Sequence, residues 1–167
     1  NPADTVEQAA CLVDEAAKID LLYHVLDTED VNNVIIFSRT KHRADRITRR
    51  LNQEGYAAVA IHSNRSQAQR QKALQGFKHG RYRVLVATDI AARGIDVDGI
   101  THVINYDTPN LPESYIHRIG RTGRAESTGR AITFVTRDDM GYLKQIESYT
   151  GRKIQRIEYD GFEQRRV

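Results

Sequence analysis

One cysteine, one methionine, three prolines and no tryptophan are spread over 167 residues. A single cysteine, Cys11, closes no internal disulfide, which excludes a cross-linked scaffold and leads us to expect a reducing, cytoplasmic setting. Its place in an apolar run reads as a small core residue rather than a nucleophile. No apolar run approaches the roughly 18 residues of a membrane span, so no membrane partner is expected. The six histidines share no ligand spacing with cysteine or carboxylate, and no metal site is expected. Charge of one sign is nearly lacking too: 25 basic against 22 acidic side chains leave +3, too little to argue for nucleic acid alone. Also missing is any G-x-x-x-x-G-K-[ST] loop, the backbone cradle for nucleotide phosphates. The chain opens on Asn1, and a piece of a longer polypeptide is expected.

What is present is concentrated. His117-Arg118-Ile119-Gly120-Arg121-Thr122-Gly123-Arg124 packs three arginines and two glycines into eight residues. Arginine carries a permanent charge on a planar fork of donors that matches phosphate oxygens in pairs, and glycine lets a backbone approach a ligand closely. Arg121 and Arg124 stand three apart, so a helical turn would point both the same way. From Arg118 to Arg130 four arginines face Glu126 alone. Such a potential favours phosphates, although a solvated arginine-rich loop has the same composition. The chain thus holds a charge clamp without the cradle.

Short β-branched runs alternate with helical patterns. Val34 to Phe37 is a continuous apolar run, as a strand covered on both faces requires, and Ala57 to Ile61, Val84 to Ala87, His102 to Asn105 and Ala131 to Val135 repeat it. Lys41 to Glu54 places Ala44, Ile47 and Leu51 on one stripe, with Gly55 as the stop. Ser66 and Gln69 form a capping-box pattern ahead of Ala73, Leu74 and Phe77, and that helix closes at Gly80. Pro112 opens a helix towards Ile119. Thr136 or Asp138 is expected to cap a last helix closing near Gly151. Alternating strands and helices imply βαβ units, a mainly parallel sheet flanked by helices on both faces, and ligands beyond the carboxyl ends of the strands. Residues 1–167 read as one domain, with 1–13 as an entry arm and 159–167 as a short basic tail.

Four segments, in order, resemble the second RecA-like domain of the DEAD-box RNA helicases. Ile36-Phe37-Ser38-Arg39-Thr40-Lys41 looks like motif IV of that family. Gln67 and Arg70, ahead of Phe77 and Gly80, are similar to motif IVa. Val86 through Asp96, VATDIAARGID, looks like motif V, and His117 to Arg124, HRIGRTGR, like motif VI. Within the family the bacterial RhlE branch resembles the chain best. The resemblance implies a RecA-like three-layer sandwich and an ATP-dependent RNA helicase. Its ATP and Mg2+ would be held mainly by an N-terminal RecA-like domain absent from this chain, so the chain alone would be inactive.

By that resemblance Arg121 and Arg124 are catalytic arginine fingers, and Asp96, with Gly94, lies at the nucleotide, where a carboxylate accepts from a ribose hydroxyl. His117 and Arg118 would couple the two domains. Arg39, Ser63, Asn64, Gln67, Arg70, Thr88 and Gly94 match positions along the RNA backbone, where contacts position a strand without reading its sequence. His62-Ser63-Asn64 departs from the family's His-Gly-Asp or His-Gly-Asn, which puts a close RNA approach at Ser63 in doubt. Ribonucleoprotein or RNA-degradation partners are further expectations.

Other readings stay open from sequence alone. Gly120 to Gly123 fits the G-x-x-G loop of a KH module, though no apolar helix follows. Motif V alone fits a strand, a turn and a short helix capped by Asp89 and Asp96. Gln67 and Arg70 fit a solvated helix face. Tyr106 and Tyr115 suit base stacking or ordinary packing. A non-catalytic RNA-binding or docking module of the same fold is the competing class, and the arginine pair with Asp96 argues against it.

Overall fold

Apolar runs with no polar face demand cover on both sides, and they have it. The computed structural model describes residues 5–29, 31, 33–95, 97–123 and 129–162. Strands β1 (Val6–Leu12), β2 (Val34–Phe37), β3 (Ala58–Ile61), β4 (Val84–Ala87), β5 (His102–Asn105), β6 (Gly129–Val135) and β7 (Gln155–Ile157) form one sheet in the order β3-β4-β2-β5-β6-β1-β7. Every pairing is parallel. All residues of β2, β4 and β5 are buried.

Alternation along the strands splits the core into two layers. Val34, Ile36, Val84, Val86 and Ile104 pack against α1 (Lys18–Thr28) and α2 (Lys41–Gln53). Ile35, Phe37, Leu85, Ala87 and Val103 pack against α3 (Gln67–Lys78), α4 (Asp89–Ala92), α5 (Pro112–Ile119) and α6 (Met140–Thr150). The architecture is therefore the RecA-like three-layer α/β sandwich.

Helix ends follow local chemistry in most places. The Ser66 hydroxyl accepts from Gln69 N–H while the Gln69 side chain accepts from Ser66 N–H, the expected capping box. Thr40 caps α2 by accepting from Arg43 N–H, and Pro112 sits in the first turn of α5. Gly151 closes α6 in the left-handed region, φ +70. The expected cap from Thr136 or Asp138 is absent: a 3-10 turn, Arg137–Asp139, leads into α6, and neither Thr136 nor the actual N-cap Asp139 makes a side-chain cap bond.

The segment expected as an entry arm is largely β1, which lies between β6 and β7 in the sheet. Its alternation is blurred because Ala9, Ala10 and Cys11 are all buried, so it lacks the polar face that marks an ordinary strand. Burial also pushes the Cys11 thiol up to about 11, consistent with an inert core residue. The first tail residues are anchored as well. Tyr159 meets His24 of α1 edge-on and Phe162 packs tilted against it, at 5.5 and 5.1 Å between ring centroids.

Gly129 begins β6 directly under Thr122. A Cβ on Gly129 would lie 2.3 Å from Thr122 Oγ1 and 2.4 Å from Gly123 N, whereas one on Gly141 in α6 meets nothing within 4 Å. Gly129→Ala is therefore expected to destabilise by about 1–3 kcal/mol through overpacking. Gly141→Ala is expected to stabilise by roughly 0.5–1 kcal/mol through helix propensity. Urea melts of the two variants beside the parent check both signs.

Candidate functional site

Parallel strands all end at one edge of the sheet, so the loops after them gather there. Arg118, only 5% exposed, organises this edge. Its Nε and Nη2 donate to the two oxygens of Asp89 at 2.6 and 2.9 Å, and Nη1 donates to Asn105 Oδ1 at 3.1 Å and the Asp107 carbonyl at 3.0 Å. The guanidinium centre lies 5.2 Å from the Phe37 ring centroid. One side chain thereby ties α5 to α4, to the end of β5 and to the end of β2. Arg118 was expected to reach out to a second domain. Here it faces inward, because Asp89 and Asn105 sit where a buried guanidinium satisfies its donors. His117, one position back, is exposed and free to face outward.

A groove of about 370 Å³ opens above this tie, lined by Phe37, Asp89, Gly94, His117, Arg118 and Arg121 among others. Arg121 is half-buried, and its Nη1 donates to the Ile95 carbonyl at 2.8 Å. This contact draws Arg121 beside Gly94, the residue before Ile95. α5 ends at Ile119, so Arg121 lies beyond the helix, and Gly123 has φ +70. Arg124 and Asp96 lie outside the described residues. Gly123 is also a point of close approach, since a Cβ there would lie 2.7 Å from the Thr5 carbonyl at the start of β1.

Next to this groove runs a polar ledge. Thr88 follows β4 and stands at the N-cap of α4 without a side-chain cap bond. Ser63, Asn64 and Gln67 are exposed on the loop after β3 and the first turn of α3. Arg70 Nη2 donates to the Arg93 carbonyl at 2.7 Å, joining α3 to the turn that carries Gly94. Asn64 N–H donates to His62 Nδ1 at 3.2 Å. That leaves Nε2–H of the neutral ring to donate to Asp45 Oδ1 at 2.8 Å, fixing the loop's root. Lys41 Nζ donates to Asn64 Oδ1 at 3.1 Å.

Arg39 points elsewhere. It lines a second groove of about 370 Å³ with Lys18, Arg43, Asp107, Arg137 and Asp139 among others. Asp107 is its hub and was not singled out in sequence. The carboxylate accepts from Lys18 Nζ at 3.0 Å, Arg39 N–H at 2.8 Å and Arg43 at 2.9 and 2.6 Å. Burial works to raise its pKa, but the Arg43 hydrogen bonds and the Lys18 charge outweigh it and hold the group below its ordinary 3.8. Lys18, 1% exposed, is the one buried lysine among the described residues. Neither Tyr106 nor Tyr115 offers a ring for stacking. Tyr115 is fully buried with its hydroxyl donating to Gln8, and Tyr106 is 8% exposed.

Among the described residues no group of three or more His, Cys, Asp or Glu side chains could hold a metal ion. No helix is long and apolar enough to cross a membrane.

The sheet order, the Arg118 tie and the arginine-bearing groove define a RecA-like domain of the DEAD-box kind. Residues 17–126 match the family described as the helicase conserved C-terminal domain, and the chain belongs to that family. It is 49% identical over 153 residues to the ATP-dependent RNA helicase CshA of Listeria monocytogenes, covering 92% of this chain and 29% of that protein. The Bacillus subtilis DEAD-box ATP-dependent RNA helicase CshA is also 49% identical, over 91% of this chain and 31% of its own length. The chain thus spans about a third or less of the curated relatives it matches. Among solved structures, Escherichia coli DEAD-box protein SrmB bound to the regulator of ribonuclease activity A superposes with TM-score 0.92 at 32% identity, covering 97% of this chain and 96% of that one. Saccharomyces cerevisiae Dbp5 bound to RNA and ADP BeF3 superposes with TM-score 0.87 at 34% identity, covering 94% and 42%.

Replacing Asp107 would leave the buried Lys18 and the half-buried Arg43 with the exposed Glu15 as their remaining carboxylate partner. Asp107→Ala is expected to cost about 3–5 kcal/mol. Because the folded carboxylate titrates below 3.8, its stabilisation is complete above that pH and is lost as pH falls through the lower folded value. Asp107→Asn should flatten the acid limb below about pH 4 in denaturation curves. An unchanged acid limb would contradict the ion-pair account.

Proposed function

We propose that this chain is the C-terminal half of an ATP-dependent RNA helicase that closes over ATP and RNA held jointly with an N-terminal RecA-like domain. The observation that carries this reading is the half-buried Arg121 beside Gly94 on the groove, one ledge away from the exposed Ser63, Asn64 and Gln67. Anion clamp and strand ledge share one edge, so a single closure engages both.

In this reading ATP supplies a transferable phosphoryl group, and every other contribution is the chain's own. Arg121, with Arg124, exchanges the Ile95 carbonyl for phosphate oxygens on closure and stabilises the charge that develops there. Arginines in this role contribute about 10³–10⁵ in rate. Gly94 admits the ligand backbone closely, and Asp96 accepts from a ribose hydroxyl. Arg118 is a positioning residue: it holds Asp89 and the α5 end in place while Arg121 moves, and His117 faces the partner domain. Mg2+ does not fit the described residues, which lack a carboxylate cluster, so the ion belongs to the other domain. Ser63, Asn64, Gln67, Arg70 and Thr88 grip RNA phosphates and sugars from the ledge, with Arg39 joining from the neighbouring groove by leaving Asp139, and 2′-hydroxyl contacts favour RNA over DNA. The Dbp5 complex with RNA and ADP BeF3 supports this arrangement at the level of the fold. Partners acting in ribonucleoprotein assembly or RNA degradation, and a cytoplasmic setting, fit the same reading.

Arg121→Ala in the full-length protein is expected to lower RNA-stimulated ATP hydrolysis by about 10³-fold or more, with the melting temperature unchanged. A phosphate-release assay reads it, and parent-like turnover rejects the assignment. The 167-residue chain alone should bind RNA weakly and with steep salt dependence, which fluorescence anisotropy across a salt series checks.

A further inference from the structure

Outside the edge described above, α2 carries a second basic surface. Arg46, Arg49 and Arg50 are exposed, and among the described residues none of them forms an ion pair or side-chain hydrogen bond. Arg43, Arg46 and Arg50 stand at i, i+3 and i+7 and share one face of the helix. With Glu15 and Ile19 from the segment opening α1, they rim a groove of about 250 Å³ floored by Ile47 and Tyr106. Ile47 is 2% and Tyr106 8% exposed, so the floor is apolar and fixed. Arg43 is committed to Asp107 and Glu15. Arg46 and Arg50 are therefore the surplus charge.

We propose that this groove docks an acidic peptide segment of a partner protein, which seats one apolar side chain between Ile19 and Ile47 and places flanking carboxylates on Arg46 and Arg50. Guanidinium forks take carboxylates in pairs, and a shallow aliphatic floor gives such a segment an anchor. RNA fits this surface less well. The Tyr106 ring is 8% exposed and has Lys18 Nζ and the Arg43 guanidinium at 5.5 and 5.7 Å from its centroid, so it offers too little surface for a base to stack on. Glu15 stands at the rim, where it repels phosphate. The groove also lies against α1 and α2, on the opposite side of the sheet from α3 and α4, which carry the RNA ledge.

The test is selection of a randomised twelve-residue peptide library on the 167-residue chain, followed by anisotropy with the labelled winner. The enriched peptides are expected to carry at least two carboxylates around a Leu, Met or Phe. The double variant Arg46→Glu with Arg50→Glu should weaken the winner by at least tenfold, and Ile19→Ser several-fold. Lys144→Glu, on the opposite helix layer, should leave affinity unchanged, and circular dichroism establishes that each variant is folded. Recovery of no binder, of peptides without acidic bias, or of affinity indifferent to the Arg46 and Arg50 reversal would overturn the proposal. So would a ten-nucleotide oligouridylate that shifts the amide resonances of Ile19 and Ile47 while the selected peptide does not.

Discussion

The Arg118 guanidinium holds the carboxyl edge of this sheet together. Four of its five N–H groups are spent on Asp89, Asn105 and the Asp107 carbonyl. Those acceptors come from two segments, Asp89 after β4 and Asn105 to Asp107 at the end of β5. A buried cation of this kind is costly to desolvate and becomes favourable only when its donors are met with good geometry. The consequence is positional. α4 and α5 cannot drift relative to the strand ends, and the turn that carries Arg121 is launched from a fixed base.

A second charge hub, Asp107, does the same work for the helices on the other face of the sheet. It draws Lys18 from α1, Arg43 from α2 and the Arg39 backbone onto the end of β5. The backbone carbonyl of Asp107 answers Arg118 while its carboxylate answers Lys18 and Arg43, so the hubs are joined through one residue. The helix layers on the two faces of the sheet are thereby locked at the edge where the loops gather. Preorganisation of this sort gives the proposed clamp at Arg121 a scaffold that need not reorganise.

Much of this was legible in the residues. Continuous apolar tetrapeptides marked β2 and β4, and the Val103-Ile104 pair marked β5, whose ends His102 and Asn105 are buried polar residues. Ser66 with Gln69, Pro112 and Gly151 marked helix ends because each carries its conformational preference locally. The HRIGRTGR segment marked the groove through its density of arginine and glycine. β1 escaped because its middle, Ala9, Ala10 and Cys11, is buried on both faces by small residues with little periodic signal. β7 is three residues long. The inward turn of Arg118 depends on Asp89 and Asn105, 29 and 13 residues away, and no spacing rule announces so distant a pairing. Lys18 and Asp107 were hidden for the same reason. An isolated lysine in a helix reads as solvated until its partner on another strand is known.

The central claim is that the Arg118 tie stays intact while Arg121 turns from the Ile95 carbonyl to a nucleotide phosphate. The most direct measurement is a crystal structure of the full-length protein trapped with ADP·BeF3 and single-stranded RNA. The account predicts the Arg121 guanidinium within hydrogen-bonding distance of the beryllium fluoride and Arg118 still bidentate on Asp89. An Arg121 left on the Ile95 carbonyl, away from the nucleotide, would contradict it.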